Sequence, residues 1–468
     1  WLYLSQGNAE GVTLGDDGYC YRGQSYFTRL SYDYAGKYLL TFTMRADGSS
    51  KYQEHWGYFP SVGAAWVISE EDFMKDQKFF DYLKLRASWG RLGNDHVAAS
   101  DGFASITTGN SASGVFGNST FPGYQNTTYF SYLKWELVDE TNVGLNFSTF
   151  KNRLNVDLDY FYRLTKRAVI SPRLPFSNDV LAGNYGKILN SGFDLSLNWN
   201  DNIGRDFKYN LGVNLSYLKN KVKDLGGLSS IKGGKTINMV GKEMNSYYGY
   251  KVVGVYQTLE ECAEDPIAVA NKLVPGDFKY EDVNGDGKLD EKDYVYLGSD
   301  DPKISYSFNV GIEWNNFDLS AVFQGAAKRT IFRDESNDNY RIPMRAAHLN
   351  STTQSVGNVW SPDNRDGRYP TYTNISTINN YNYQCSSWSV ENGNYLRLKS
   401  LTLGYNFPAS LLSKTKAISR LRIYVSGADL WEVSKINDGW DPEASRKVSG
   451  NGRFPFNRTC TVGLDVTF

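Results

Sequence analysis

Apolar and polar residues alternate with a period of two along most of the chain, the pattern of strands that present two different faces. In 38–45, Tyr38, Leu40, Phe42 and Met44 share one face, while Thr41, Thr43 and Arg45 take the other. The stretch 26–34 alternates similarly, and Ala35-Gly36 between the two reads as a hairpin turn. A second hairpin sets Val143, Leu145 and Phe147 against Leu154, Val156, Leu158, Tyr160 and Tyr162, with Lys151-Asn152 at the bend. Its opposite face carries Asn155, Asp157 and Asp159. The pattern returns in Phe193 to Trp199, Tyr209 to Tyr217, Tyr306 to Trp314 and Phe317 to Phe323, and again over 395–407, 420–430 and 459–468. Weaker alternation over 58–68 and 83–91 brings the expectation to about thirteen strands.

Alternation alone also suits a soluble β-sandwich or a propeller. Two features favour a transmembrane antiparallel β-barrel. Apolar faces begin or end in Tyr38, Tyr162, Trp199, Tyr217 and Trp314, where an aromatic girdle would meet the lipid–water boundary. Connections also alternate in length: tight turns at one end, long links over 92–138, 164–189, 221–303, 326–394 and 431–458 at the other. If the last strand ends in the periplasm, every long link is extracellular.

Composition agrees with this reading. The mean hydropathy of -0.48 would suit a soluble protein, but a barrel has that profile too, because half of each strand faces a polar lumen. No apolar run is long enough for a transmembrane helix. Aromatic residues at 15% exclude a disordered chain, and a net charge of -1 argues against nucleic acid as a partner. The four cysteines lack metal-site spacing; a bridge among Cys20, Cys262 and Cys385 stays open, and Cys460 is expected on the lipid side. The chain starts at Trp1 without a leader and an odd strand number does not close a bacterial barrel, so further strands are expected upstream.

Several segments carry a family likeness. They are Gly57-Tyr58-Phe59-Pro60-Ser61-Val62 through Trp66-Val67-Ile68-Ser69-Glu70 and Phe73-Met74-Lys75, and Leu83 to Gly90 followed by Gly93-Asn94-Asp95. Leu133-Lys134-Trp135-Glu136, Tyr395-Leu396-Arg397-Leu398-Lys399 to Gly404-Tyr405, and Asp441-Pro442-Glu443 complete the set. In this order they resemble the SusC/RagA family of TonB-dependent outer-membrane transporters. The resemblance implies a barrel of about 22 strands, filled by an N-terminal plug and covered by a SusD-like surface lipoprotein, in a Bacteroidota-like outer membrane. Such pairs import oligosaccharides, or in some members peptides, with energy from TonB. By that likeness, 1–468 is the C-terminal part of the barrel, without the plug, the TonB-binding segment or the first strands.

The sharpest local motif runs from Asp282 to Asp293. Asp282, Asn284, Asp286, Asp290 and Asp293 stand at loop positions 1, 3, 5, 9 and 12, and Lys288 offers its carbonyl at position 7. Gly287 at position 6 permits the tight turn that gathers these oxygens, so Ca²⁺ is the expected ligand. Asp293 replaces the usual Glu and the flanks are not paired helices; an acidic turn without metal is the alternative. The link 326–394 interleaves amides and hydroxyls with Trp360, Tyr369, Tyr372, Tyr381, Tyr383 and Trp388. Such faces stack on sugar rings, but a long loop also needs aromatics to fold on itself. Arg45, Asp157, Asp159 and Asp318 are expected to face the lumen and pair structurally. His55, His96 and His348 fit no catalytic triad, and no Gly-x-Ser-x-Gly or P-loop is present, so no enzyme activity is expected.

Overall fold

The computed structural model describes residues 20–95, 97, 105–117, 119–128, 132–171, 182–234, 236–332, 355–373, 375–413, 417–436, 441–443 and 457–468. Thirteen strands form one antiparallel sheet: β1 Gly23–Tyr34, β2 Tyr38–Ser49, β3 Trp56–Val67, β4 Phe80–Asn94, β5 Glu136–Thr149, β6 Leu154–Ile170, β7 Gly183–Ile203, β8 Phe207–Leu225, β9 Ile304–Trp314, β10 Phe317–Ala327, β11 Tyr395–Asn406, β12 Arg420–Ser434 and β13 Thr459–Thr467. Each pairs with its neighbour in the chain, so the sheet is an unbroken meander.

The turns explain why the order never crosses. Ala35 and Gly36 sit at φ 56° and 68°, and Phe150, Lys151 and Asn152 at 59°, 61° and 60°, the left-handed region that reverses a right-twisted ribbon within a few residues. Asn315 at φ 51° does the same between β9 and β10. All these turns lie at one end, while the links following β4, β6, β8, β10 and β12 lie at the other. One link breaks the length pattern, since only 50–55 joins β2 to β3 at the long-link end. Its Tyr52 is fully buried against Trp135, Phe59 and Leu133.

The apolar stripes of neighbouring strands fall in register. Leu197 on β7 pairs with Val213 on β8 and Val156 on β6, and Val213 pairs in turn with Phe308 on β9. This face is open: Leu40 is 47% exposed, Val425 53% and Val462 76%. Burying one such side chain is worth about 1.5–3 kcal/mol, so a whole face of them suits hydrocarbon and not water. From Tyr306 to Trp314, aromatics bracket about nine residues, the length a tilted strand needs to cross a bilayer. At the short-turn end rings meet across strands: Phe79–Phe150 at 6.3 Å, Phe150–Trp199 at 5.9 Å and Phe317–Tyr405 at 4.9 Å.

Strand lengths differ from the sequence expectation. β7 and β8 run for 21 and 19 residues, well past their apolar stripes. Beyond hydrocarbon the hydrogen-bond ladder continues without needing an apolar face, and the period-two signal fades there. A hairpin at Ser105–Phe116 and Ser119–Thr128 also lies inside the long link 92–138. All four cysteines are free thiols, which answers the open question of a bridge among Cys20, Cys262 and Cys385. Cys460 faces outward as expected, in register with Gly427. His55 lies in a loop beside the Ser49 carbonyl, and His96 and His348 lie outside the described residues.

Val213 lies midway between Tyr209 and Tyr217 on the apolar face. Val213→Arg is expected to destabilise the sheet in lipid vesicles by about 2–4 kcal/mol, against less than about 1 kcal/mol for Asn214→Arg on the opposite face. Urea titration of the reconstituted protein, followed by gel mobility with and without heating, measures both.

Candidate substrate-binding site

The polar face of the sheet divides into sectors. Across β4 to β6 it is charged and paired: Arg86 meets Asp159 at 2.5 Å, and Arg163 meets Glu140 at 2.8 Å. Across β10, β12 and β13, Arg422 holds Asp318 at 2.6 Å and Asp465 at 3.3 Å. Arg45 pairs with Asp47 at 2.7 Å, and Asp157 lines a recess with Asp81, Lys84 and Arg86. Between the charged sectors, β7 to β9 present Ser196, Asn198, Asn210, Asn214, Ser307 and Asn309. The Asn214 amide donates to Ser307 Oγ at 3.1 Å, and Asn198 to Ser196 Oγ at 3.3 Å.

Two glycines let this amide sector lie flat. Gly212 is the register partner of Asn309, and Gly311 of Asn210. Each amide occupies the space a Cβ on the opposing glycine would take. A recess of about 980 Å³ opens here, lined among others by Asn200, Asn202, Lys208, Asn210, Asn309 and Asp318.

Above the sheet, the links after β8 and β10 fold together into one cap. Its core holds Tyr250, Tyr256, Cys262, Leu273, Phe278 and Tyr280 from the first link and Ile378 and Tyr381 from the second. Two short helices, α1 Leu259–Glu264 and α2 Pro266–Asn271, start at Thr258 and Asp265, whose side chains accept from the Glu261 and Ile267 N–H groups. A third, α3 Ser376–Asn382, delivers Asn382 to the interior. Fully buried Asn382 accepts from the Phe278 N–H at 2.8 Å and donates to Asp277 Oδ1 at 2.8 Å. Tyr280 donates to the Tyr381 and Asn382 carbonyls at 2.9 and 3.0 Å. Burial pushes the Asp277 carboxyl above the ordinary carboxylate range, although Asn382 and the Val274 N–H both bond it.

The six aromatics expected at substrate divide sharply. Trp360, Tyr369 and Tyr381 are buried in the cap, at 6%, 2% and 5% exposure. Trp360 donates through Nε1 to Gln257 Oε1 at 3.0 Å, a bond from one link to the other. Tyr383 and Trp388 are half-buried with rings 5.4 Å apart, and Trp388 packs against Phe278 and Tyr369. Tyr372 alone of the six is exposed, its hydroxyl donating to Ser355 Oγ at 3.3 Å. Three of the six thus pack inside the links, two are half-buried and one is exposed.

In the loop 282–293, Asp282 accepts from the Gly285 and Gly287 N–H groups at 2.7 and 2.8 Å. Asn284 accepts from Asp286 N–H at 2.9 Å, and Asp286 from Lys288 N–H at 3.0 Å. Asp293 is fully buried, accepting from the Val283 and Asp290 N–H groups at 3.0 and 2.9 Å. Asp290 caps the turn through the Lys292 N–H. Among the described residues no three acidic side chains converge as metal ligands. In this structure the oxygens bond the loop's own N–H groups.

One buried centre joins two of the segments that carry the family likeness. Arg397 on β11 is fully buried and pairs with Glu432 at 2.6 Å, Asp441 at 2.7 Å and Glu443 at 3.0 Å. Lys399 adds contacts to Glu443 at 2.7 Å and Asp429 at 3.3 Å. Arg329 pairs with Asp300 at 2.8 Å and donates to the Pro442 carbonyl, so the links after β8, β10 and β12 meet here. Tyr395 to Lys399 and Asp441-Pro442-Glu443, separate in sequence, form a single contact.

A family model described as "TonB dependent receptor-like, beta-barrel" matches residues 3–428. TonB-dependent receptor P3 of Formosa agariphila is 30% identical over 99% of this chain and 48% of its own length. TonB-dependent receptor SusC of Bacteroides thetaiotaomicron is 26% identical over 95% of this chain and 43% of its own length. The chain spans about half the length of the relatives it matches. The structure of the RagAB peptide transporter superposes with a TM-score of 0.80 at 24% identity, over 99% of this chain and 50% of that one.

Three outcomes are expected. Arg397→Met leaves Glu432, Asp441 and Glu443 facing one another and costs about 3–5 kcal/mol; limited proteolysis should then cleave near 441–443 while β5 to β8 stay protected. Asn382→Ala strands Phe278 N–H and Asp277 and weakens the cap by about 2–4 kcal/mol, seen as faster hydrogen exchange over 250–280. Because the folded Asp277 carboxyl titrates above its unfolded value, its contribution is full below the ordinary carboxylate pKa and falls as pH rises through the raised one. Asp277→Asn should remove that slope from cap exchange measured against pH.

Proposed function

The chain belongs to the TonB-dependent receptor β-barrel family and is SusC-like, and from that premise we propose that it forms the C-terminal wall and outer cap of an outer-membrane importer of oligosaccharides. The observation that carries the cargo class is the inner sector of β7 to β9, rich in amides and hydroxyls, where Asp194 accepts from the Ser216 hydroxyl and Lys208 pairs with Glu313. Side-chain amides and hydroxyls both donate and accept, which matches the hydroxyls of a neutral sugar without stripping an ion of water. Beside it, the pairs Arg86–Asp159, Arg163–Glu140 and Arg422–Asp318 hold the sheet instead of attracting an ionic cargo.

The rest of the reading follows the family. The polar face lines the lumen, the long links are extracellular, and the cap meets cargo beneath a SusD-like lipoprotein. In this reading, as in the family, N-terminal barrel strands complete the wall and bring the plug. TonB, acting on the plug, supplies the energy. The work is gated passage, and members of this family are receptors and not enzymes. Exposed Tyr372 is the cap aromatic best placed to stack on a sugar.

A peptide cargo is the rival, favoured by the fold shared with the RagAB peptide transporter. The complete transporter, purified with its lipoprotein, should bind neutral oligosaccharides by calorimetry, and cells should take up the labelled glycan only with functional TonB. Peptides co-purifying in the lumen and no glycan binding would replace the cargo class. Binding without uptake would make the protein a surface adhesin.

Calcium at Asp282, Asn284, Asp286, Lys288, Asp290 and Asp293 is kept in this proposal on oxygen spacing alone, with Asp282 and Asp286 turning toward the ion. Millimolar Ca²⁺ should slow proteolysis of 282–293 at least threefold relative to chelator in the complete transporter. Equal rates remove the ion.

A further inference from the structure

We propose that the outward face of β6, β7 and β8, just above the aromatic belt, binds the phosphate groups of lipid headgroups in the surrounding leaflet. The proposal rests on the reading of the sheet as a membrane-spanning wall and adds a specific lipid contact to it.

The register builds the surface row by row. Tyr160, Phe193 and Tyr217 lie side by side, with Phe193 and Tyr217 stacked at 5.6 Å. The next outward row toward the long links is Tyr162, Ser191 and Lys219, and the one beyond it Leu164, Leu189 and Lys221. That second row continues through Asp139 on β5 to Arg91 on β4. Lys166, Lys187 and Asp224 follow. Aromatic side chains thus give way within two residues to a surface of long cations.

The charges there do not balance. Arg91 and Lys166 share Asp139, at 2.7 and 2.8 Å, and Lys187 holds Asp224 at 3.0 Å. Lys219 and Lys221 have no ion-pair partner among the described residues. Five cations face two anions, an excess of three positive charges. On the polar face of the same sheet Arg86 pairs with Asp159, Arg163 with Glu140 and Lys208 with Glu313. The excess is also local. At the equivalent level on β11 and β12 the outward residues are Leu396, Trp431 and Val433.

Position selects the occupant. This surface is continuous with the apolar band, so whatever touches it sits at the rim of the bilayer. Lysine stems can lie along apolar neighbours such as Leu164 and Leu189 while their ammonium groups reach the headgroup layer. Phosphate there meets unpaired cations, with each lysine near an anionic surface contributing about a fivefold factor in affinity.

The test uses the complete transporter, purified, delipidated and titrated in native mass spectrometry. The probes are a bis-phosphorylated glucosamine-disaccharide lipid and its dephosphorylated form. The phosphorylated lipid should bind at least tenfold more tightly. The double variant Lys219→Gln/Lys221→Gln should lose about twentyfold of that affinity, and Lys208→Gln, on the polar face at the opposite end, should lose none. Equal binding of both lipids, or unchanged binding by the double variant, overturns the proposal. So does loss of the lipoprotein partner in place of lipid, which would make the face a protein interface. Gel mobility with and without heating reports the barrel separately: a protein that shows no heat-dependent shift refutes the membrane reading, and the lipid site with it. A shifted barrel with no phosphate preference refutes the lipid site alone.

Discussion

In hydrocarbon an unpaired N–H or C=O has no solvent to turn to, and this requirement shapes the chain more than any single contact. From β2 to β12 every strand bonds a neighbour on both sides, and every neighbour is also next in sequence. Pairing fixes the two-residue period, which sends Leu211, Val213 and Leu215 to one face and Asn210, Gly212 and Asn214 to the other. Tight left-handed turns at Ala35-Gly36, 150–152 and Asn315 hold the meander at one end. Variation is thereby pushed to the opposite end, where water can satisfy the backbone and the links can grow.

Those links are folded structures in their own right, and buried polar contacts specify how they sit. Asn382 and Asp277 join two links across more than a hundred residues of sequence. Arg397 ties β11 and β12 to residues 441–443. Ion clusters of this kind return little net stability, because desolvation offsets much of the attraction. Their geometry is demanding, however, since a displaced loop leaves a buried charge unpaired. The cap is thus held in one seat on the sheet.

Electrostatics differ between the two faces. The polar face sets ion pairs such as Arg86–Asp159 and Arg422–Asp318 on either side of an amide-rich sector. The outer face carries apolar side chains, an aromatic belt, and then a local positive excess on β6 to β8. Both patterns arise from one ladder, whose register carries any row of side chains across several strands.

The sequence by itself determined the number, order and facing of the strands, which end carries the long links, and the outward face of Cys460. Each depends on alternation or on turn chemistry, and both are local. Resemblance added the family, and with it the importance of Tyr395 to Lys399 and Asp441-Pro442-Glu443. Only the tertiary structure decided that these two segments meet at Arg397, because ion pairing across 44 residues leaves no periodic trace. It also decided that Trp360, Tyr369 and Tyr381 pack inside the cap while Tyr372 stays exposed. Composition cannot separate an aromatic that packs from one that stacks on a ligand; the distinction lies in what the neighbouring link covers. The lysine rows were equally invisible, since Lys166, Lys187, Lys219 and Lys221 are scattered along three strands and only the hydrogen-bonded register brings them together.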